Sequence, residues 1–333
     1  MDVDSQAPDP ALFLEDLTRT GGLTRADGLW FEDCGLIILA EKTIFRVSRD
    51  YLAAHSPIFK DMLALPAPRD RDMMFGLPFV SLFDSADDVT VFLKALMFPD
   101  FFEPHPAPTS LAVLTAVLRM SHKYDVESLR KRALIHLSSQ FPTQLHDYDS
   151  LASEKDPLWI AELKDVDGPG FHSLTALARS LSIVWILPIA FYRVCAFSSE
   201  EDILTVDHTL NDKVNIVIAC RTLEGAAVTN MLDFLWPSPV GGCSTPSECS
   251  ASKFAMRRHM ESIRNRPFSR APTMPLNLWR MSDWEGLPVC TACLESMKAK
   301  HEEAKQEHWD SIPEMFELPS WTELEKLKAE ALN

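Results

Sequence analysis

The stretch Leu36-Ile-Ile-Leu-Ala-Glu-Lys-Thr-Ile-Phe-Arg-Val47 decides the fold of the N-terminal third of the chain. A continuous apolar run, residues 36–40, is followed after only Glu41 and Lys42 by a second run, residues 43–47, in which side-chain character alternates. Two short apolar runs with a two-residue connection predict a β-hairpin, although Glu and Lys are not preferred turn residues. This hairpin is the expected centre of a small sheet.

Helical signals follow the hairpin at once. In Ser56-Pro57 the serine can cap free backbone N–H groups, and a proline at the first helical position needs no N–H partner. A further strand is predicted at residues 79–83, and three longer helices are predicted before Pro142. The sequence therefore predicts an α+β fold, in which helices wrap a small N-terminal sheet and a mostly helical C-terminal region follows. The core is expected to contain Phe45, Leu52, Phe59, Leu93 and Leu118.

Changes in composition divide the 333 residues into four segments. Residues 1–27 are expected to be a mobile acidic tail, and residues 28–142 are expected to form a folded domain. Residues 143–240 are predicted to be helical. Residues 241–333 are predicted to be an irregular, cysteine-containing segment that ends in a charged helix.

Charge and apolar content exclude several classes of function. The formal net charge is −16, and phosphate backbones repel so acidic a chain, so direct nucleic-acid binding is not expected. The longest strongly apolar stretch, residues 183–191, is far shorter than the roughly 20 residues of a membrane helix, so no membrane association is expected. Seven cysteines without a regular framework fit a reducing compartment. An intracellular protein, cytoplasmic or nuclear, is expected.

Signatures of catalysis are missing from the sequence. Ser250-Ala-Ser-Lys253 matches the pattern Ser-x-x-Lys, but a pattern so short occurs by chance and its partner motifs are missing. A zinc- or thiol-dependent hydrolase would need a base beside a nucleophile, and the sequence shows no such pairing. His301 and His308 lie on one face of the last predicted helix and are expected at the solvated surface. The chain is therefore expected not to be an enzyme.

Four of the cysteines have a spacing typical of a metal site. Two residues separate Cys290 from Cys293, which lets one turn point both sulfurs at a single ion. Cys243 and Cys249 lie about forty residues earlier, at a looser spacing, in a loop rich in Gly, Ser and Pro. The chain between the pairs has few apolar residues, so a metal could supply folding energy there. A structural zinc site on these four cysteines is predicted, the alternative being four reduced, buried thiols, and no other cofactor is expected.

Two separated motifs resemble the BTB/POZ family. The first comprises residues 33–47 followed by Leu52-Ala-Ala-His-Ser-Pro-Ile-Phe-Lys-Asp-Met62, and the second is Ser121-His-Lys-Tyr-Asp-Val126. The resemblance covers residues 28–142, and it implies a BTB/POZ domain there. The pair in Cys290-Thr-Ala-Cys293 is similar to a feature of a large group of fungal BTB-domain proteins.

The resemblance implies a non-enzymatic protein that binds protein partners, with a homodimer as the expected assembly. In BTB dimers an Asp and a basic residue line a charged pocket near the two-fold axis, at positions that match Asp33 and Arg49, and the first helix adds Tyr51 to the expected interface. The alternative is that Asp33 caps a turn and that Arg49 is solvated. A substrate adaptor of a cullin ubiquitin ligase is a second reading, although Leu63-Ala-Leu-Pro-Ala-Pro-Arg69 lacks the usual hydrophobic-x-Glu motif. A transcriptional co-regulator that acts through partners is a third.

Overall fold

The described residues form two compact units. A computed structural model describes residues 22–64, 73–152, 168–206, 208–225, 230–264 and 274–333. Among these, the residues up to Leu137 form unit 1 and those from Ser138 onward form unit 2. The predicted regions 143–240 and 241–333 therefore lie together in unit 2. A sheet near the N-terminus followed by many helices confirms the predicted α+β class.

Unit 1 is built on a five-stranded sheet. Its strands are β1 (Thr24–Trp30), β2 (Leu36–Ala40), β3 (Thr43–Val47), β4 (Met73–Met74) and β5 (Leu77–Leu82). Their order in the sheet is β1-β3-β2-β5-β4. The predicted hairpin is confirmed, because β2 and β3 pair antiparallel from Leu36 opposite Val47 to Ala40 opposite Thr43. The pairs β1–β3 and β2–β5 are parallel.

Glu41, an unusual residue for a hairpin turn, has a structural contact of its own. Glu41 has a φ of 51°, a left-handed conformation that a tight hairpin requires and that Gly or Asn adopts with less strain. The Glu41 carboxylate accepts a hydrogen bond of 3.2 Å from the backbone N–H of Ala86, at the start of a helix. This contact gives a glutamate a structural role at a position where turn statistics favour another residue.

Strand β1 begins inside the segment that the sequence predicts as a tail. Residues 24–27 belong to this strand, in which Ala26 and Leu29 are buried. The buried positions are three residues apart instead of two, and the pairing with β3 shifts register between Arg25 and Trp30. A strand with such an irregularity lacks the alternation by which strands are recognised in a sequence.

Serine side chains cap the start of four helices of unit 1, as the sequence predicts for Ser56. The helices up to residue 140 are α1 (Arg49–His55), α2 (Pro57–Leu63), α3 (Ala86–Met97), α4 (Leu111–Lys123) and α5 (Glu127–Gln140). The hydroxyls of Ser48, Ser56, Ser85 and Ser110 each accept a hydrogen bond from the backbone N–H three residues later. The predicted burial of Phe45, Leu52, Phe59, Leu93 and Leu118 is confirmed, since none is more than 1% exposed.

Unit 2 is helical. Its helices are α6 (Leu145–Ala152), α7 (Gly168–Ser180), α8 (Leu187–Phe197), α9 (Glu200–Thr205), α10 (Leu210–Gly225), α11 (Pro246–Arg264), α12 (Thr291–Met315) and α13 (Trp321–Leu332). Helix α8 is central, because it is buried from Leu187 to Tyr192 and the Tyr192 hydroxyl accepts a hydrogen bond of 3.1 Å from the N–H of Leu276. Of the helices that the structure describes, none combines the length and apolar character that crossing a bilayer requires.

Helix α11 occupies part of the segment that the sequence predicts to be irregular. It has 19 residues, and its buried positions include Cys249, Lys253 and Arg257, one helical turn apart. Two of these three side chains are cations, so the most buried positions are not apolar and the apolar signal comes only from half-buried residues such as Met256 and Met260, which pack against a buried cluster. The prediction of an irregular segment is wrong here for that reason.

His301 lies in the interior of unit 2, so the prediction that it is solvated is wrong. It is 3% exposed, and its ring meets those of Phe234 and Trp284 edge-on, with centroids 5.2 and 5.7 Å apart. Burial lowers the pKa of His301 to about 4, and it lowers the pKa of the half-buried His308 to about 4 as well. Both rings are therefore neutral at pH 7, and their apolar bodies pack like other core side chains.

Candidate metal centre and interface residues

Three separate segments of unit 2 carry the four cysteines of the predicted zinc site. Cys243 follows a turn in which Gly242 has a φ of 79°, a conformation that favours glycine. Cys249 lies in the first turn of α11. Cys290 is the N-cap of α12, and Cys293 lies in the first turn of that helix. Two helix starts and one turn thus point thiols at a common centre.

The four sulfurs form a compact cluster, as predicted. The Sγ atoms of Cys243, Cys249, Cys290 and Cys293 all lie within 4.8 Å of one another. The Sγ atoms of Cys243 and Cys290 are 3.7 Å apart. Cys249 and Cys293 are buried, whereas Cys243 and Cys290 are partly exposed. A cluster of this kind can bind a metal ion.

Backbone N–H groups favour the ionised form of two of the thiols. The N–H groups of Cys293 and Ser244 donate to Cys290 and lower its pKa to about 6. The Thr245 hydroxyl lies 3.3 Å from the Cys249 sulfur, the N–H of Cys290 donates to the same sulfur at 3.3 Å, and both contacts lower the pKa of Cys249. Thiolate is the metal-binding form of cysteine.

Burial acts in the opposite direction on the other two thiols. It raises the pKa of Cys293 to about 12, with contacts to the neighbouring thiols adding to the rise, and it raises the pKa of Cys243. Four thiolates this close would repel one another strongly without a cation between them. A divalent metal would supply that charge and displace the remaining protons.

Thr245 contributes to this centre and is missed by the sequence reasoning. It immediately precedes α11, so Thr245-Pro246 has the same form as Ser56-Pro57, the signal that correctly predicts the start of α2. The same rule applied to Thr245-Pro246 would have placed the start of a helix beside Cys249.

The residues predicted at a dimer interface make no contact that pairs Asp33 with Arg49 in the single chain, and both residues are described. Asp33 is exposed in the connection between β1 and β2. The guanidinium of Arg49 donates to the backbone carbonyl of Leu63, and the Tyr51 hydroxyl donates to that of Leu96 at 2.8 Å. No hydrogen bond or ion pair joins Asp33 to Arg49, both of which the structure describes. An interface role for the three residues stays a prediction.

Unit 1 also carries an apolar surface on one face of its sheet. A buried cluster of Ile37, Leu39, Ile44 and Met74 lies there. Four half-buried side chains pack against this cluster, and Phe75, which is 64% exposed, meets the ring of Trp30 edge-on at 6.4 Å. We call this surface the sheet-face patch; it consists of Leu23, Trp30, Phe75, Leu77 and Phe79. The uninterrupted apolar run 36–40 signals the buried cluster beneath the patch, because such a strand buries both of its faces.

Known proteins offer no guide to either site. No family model matches the chain, and no curated protein or solved structure does. The cysteine cluster and the sheet-face patch are therefore interpreted from their own geometry and chemistry.

Proposed function

We propose that unit 2 holds a structural zinc ion on Cys243, Cys249, Cys290 and Cys293. The observation that carries this proposal is that the four sulfurs lie within 4.8 Å of one another. Sulfurs bound to one tetrahedral zinc at about 2.3 Å are about 3.8 Å apart. The 3.7 Å between Cys243 and Cys290 is close to that separation. Four soft thiolates favour zinc over magnesium or calcium, which prefer oxygen ligands.

The ligand set supports a structural role for the ion. Four protein thiolates fill a tetrahedral coordination sphere, so no position is left for a reacting water or substrate. The ion would join the turn at residue 243 and the first turn of α11, which are neighbours in sequence, to the first turn of α12, about forty residues later. Binding free energy at such a site is folding free energy, because the unfolded chain has no preformed site.

Elemental analysis tests the zinc centre. Full-length protein purified under reducing conditions should contain about one zinc per chain, the stoichiometry of a single four-thiolate site. The variant Cys290→Ser should lose the metal, whereas Cys34→Ser, which changes a partly exposed thiol outside the cluster, should keep it. A metal-free wild type that retains its native fold would overturn the proposal.

We further propose that unit 1 is a BTB/POZ-like module that binds proteins, a second copy of the chain among them. The support is the sheet-face patch, which exposes aromatic side chains beside a buried apolar cluster. Aromatic residues are enriched at protein interfaces, since each removes a large apolar area from water. On this proposal, unit 1 mediates association with protein partners, and a zinc ion stabilises the fold of unit 2.

Sedimentation and light scattering test the association. The full chain should self-associate across micromolar concentrations, and Phe75→Ser should weaken the association because it removes the most exposed aromatic ring of the patch. Phe83→Ser changes a ring that is 84% exposed and not part of the patch, so it is the matched control. A wild type that stays monomeric would overturn the homotypic part of the proposal. Affinity purification then separates the alternatives, since recovery of a cullin identifies an adaptor and recovery of a DNA-binding protein identifies a co-regulator.

A further inference from the structure

Two buried cations lie in register with Cys249 on helix α11. Lys253 follows Cys249 by four residues and Arg257 follows Lys253 by four, so the three side chains share one face of the helix. Lys253 is 2% exposed and Arg257 is 5% exposed. A buried cation is costly unless anions or hydrogen-bond acceptors surround it.

Arg257 has such partners among ordinary protein groups. Its guanidinium donates to the carbonyl of Leu232 at 2.8 Å and to the carboxylates of Asp233 and Glu261 at 3.2 and 3.0 Å. It also lies 4.1 Å from the centre of the Trp236 ring. The burial of Arg257 is therefore explained without reference to the cysteines.

Lys253 differs from Arg257 in its surroundings. Among the residues that the structure describes, no carboxylate or carbonyl forms a hydrogen bond or ion pair with its ammonium group. Lys253 lies one helical turn after Cys249 on the same buried face of α11, and helical side chains tilt toward the N-terminus of their helix, so its side chain extends toward the turn that carries Cys249. The cluster that contains Cys249 is therefore the group of potential anions on this face of the helix.

We propose that Lys253 is a positioning residue of the metal centre, whose ammonium group compensates the negative charge of the four zinc-bound thiolates. This inference rests on the proposed zinc site. A zinc ion with four thiolates carries a net charge of −2, and a buried cation nearby stabilises that charge more than a solvated one could. Lys253 would also reduce the electron density available at the sulfurs, and so make the bound thiolates less nucleophilic. The negative charge of the ligand set would thus explain why the Lys253 side chain is buried, and the positive charge of Lys253 would stabilise the ligand set.

Charge-removing and charge-keeping variants of the full-length, zinc-loaded chain test this role. Lys253→Met removes the charge and keeps the length of the side chain, whereas Lys253→Arg keeps the charge. Arg258→Met is the matched control, because it removes a positive charge from an exposed position on the same helix. Zinc affinity is measured by competition with a chromophoric chelator. Loss of an outer-shell partner typically weakens metal binding about 10- to 100-fold, and that loss is expected for Lys253→Met alone.

A second measurement separates charge compensation from mere packing. Iodoacetamide reacts with a thiolate by forming a sulfur–carbon bond and releasing iodide, and zinc leaves as its ligands are consumed. Zinc release should be faster in Lys253→Met than in wild type and should return to the wild-type rate in Lys253→Arg. If Lys253→Met does not fold, Lys253→Gln repeats the comparison with a neutral side chain that still donates hydrogen bonds.

Each outcome decides a different question. Equal affinity and equal zinc release in wild type, Lys253→Met and Arg258→Met would overturn the role of Lys253 and leave the zinc centre intact. Failure of Lys253→Arg to restore affinity would also overturn it, because the charge would then not be the operative property. A wild type that binds no zinc would remove the centre, and this role with it.

Discussion

Phe59→Ala is expected to be among the most damaging single substitutions in unit 1. Phe59 is completely buried, and its ring stacks on Tyr124 and Phe92, with centroids 4.6 and 6.5 Å away. Truncating a buried Phe to Ala costs about 3–5 kcal/mol, and the cost is larger where the surroundings cannot collapse into the cavity. Tyr124 is held in place by a hydrogen bond of 2.6 Å from its hydroxyl to Asp84. We therefore expect a loss of about 4 kcal/mol, within that range.

Hydrogen exchange of the full-length chain in graded urea measures the loss in the free energy of unfolding of unit 1 itself. The peptide that covers β2 and β3, residues 36–47, reports on unit 1 even if unit 2 unfolds at a different urea concentration. At a slope of about 2 kcal/mol per molar urea, the midpoint for this peptide should fall by about 2 M. A single spectroscopic signal from the whole chain would average the unfolding transitions of unit 1 and unit 2.

Phe83→Ala is the control for the Phe59 experiment. It deletes the same aromatic group from a side chain that is 84% exposed, so the free energy of unfolding should change by less than about 0.5 kcal/mol. A loss below about 1 kcal/mol for Phe59→Ala would show that its ring is not a core element. Equal losses in the two variants would refute the assignment of the buried face of α2.

Three further substitutions have expected outcomes. Ser56→Ala removes the cap of α2, whose hydroxyl accepts from the N–H of Phe59, so unit 1 should lose about 1 kcal/mol by urea unfolding. The double variant Asp33→Asn with Arg49→Ala should weaken self-association in sedimentation without unfolding unit 1; an unchanged dimer would show that the pair has no interface role. Burial lowers the pKa of His172 to about 4 from 6.5, so the unfolded chain binds this proton more readily. The contribution of His172 to the free energy of unfolding should therefore be constant above about pH 6.5 and fall between 6.5 and 4 by up to about 1.4 kcal/mol per pH unit, so the total fall should be shallower in His172→Asn than in wild type; urea midpoints at several pH values test this.

The centre of unit 1 could be predicted because its signals are local. The hairpin of residues 36–47 is two apolar runs with a two-residue connection, and Ser56-Pro57 is a cap followed by a proline that tolerates the first helical position. Each signal lies within a few residues and needs no knowledge of distant packing. Strand β1 lacked such a signal, because its register shift against β3 removes the alternation of buried side chains.

The same distinction separates the predictable and unpredictable parts of the candidate site. Two residues between Cys290 and Cys293 are a local pattern with a direct geometric meaning. The pairing of these thiols with Cys243 and Cys249 depends on how two helix starts meet in space, and the looser spacing of the first pair left it open in the sequence. Helix α11 was signalled only at its start, by Thr245-Pro246, since charged side chains occupy inward positions that an apolar stripe would normally mark.

On the proposal of a zinc centre, the charges on α11 make the metal and the helix depend on each other. Arg257 has carboxylate partners within unit 2, whereas Lys253 lies one turn after Cys249 on the same face, so its ammonium would be well compensated only when the thiols are ionised and bound. Loss of zinc would return protons to the buried thiols and leave a buried cation without an anion, which penalises the packed form of α11. By linkage, the free energy by which the ion stabilises the packed helix equals the free energy by which the packed helix strengthens ion binding. A four-thiolate zinc centre with one buried lysine beside it would therefore hold α11 in place by charge as well as by coordination bonds, on a helix that buries two cations and a cysteine on its inward face.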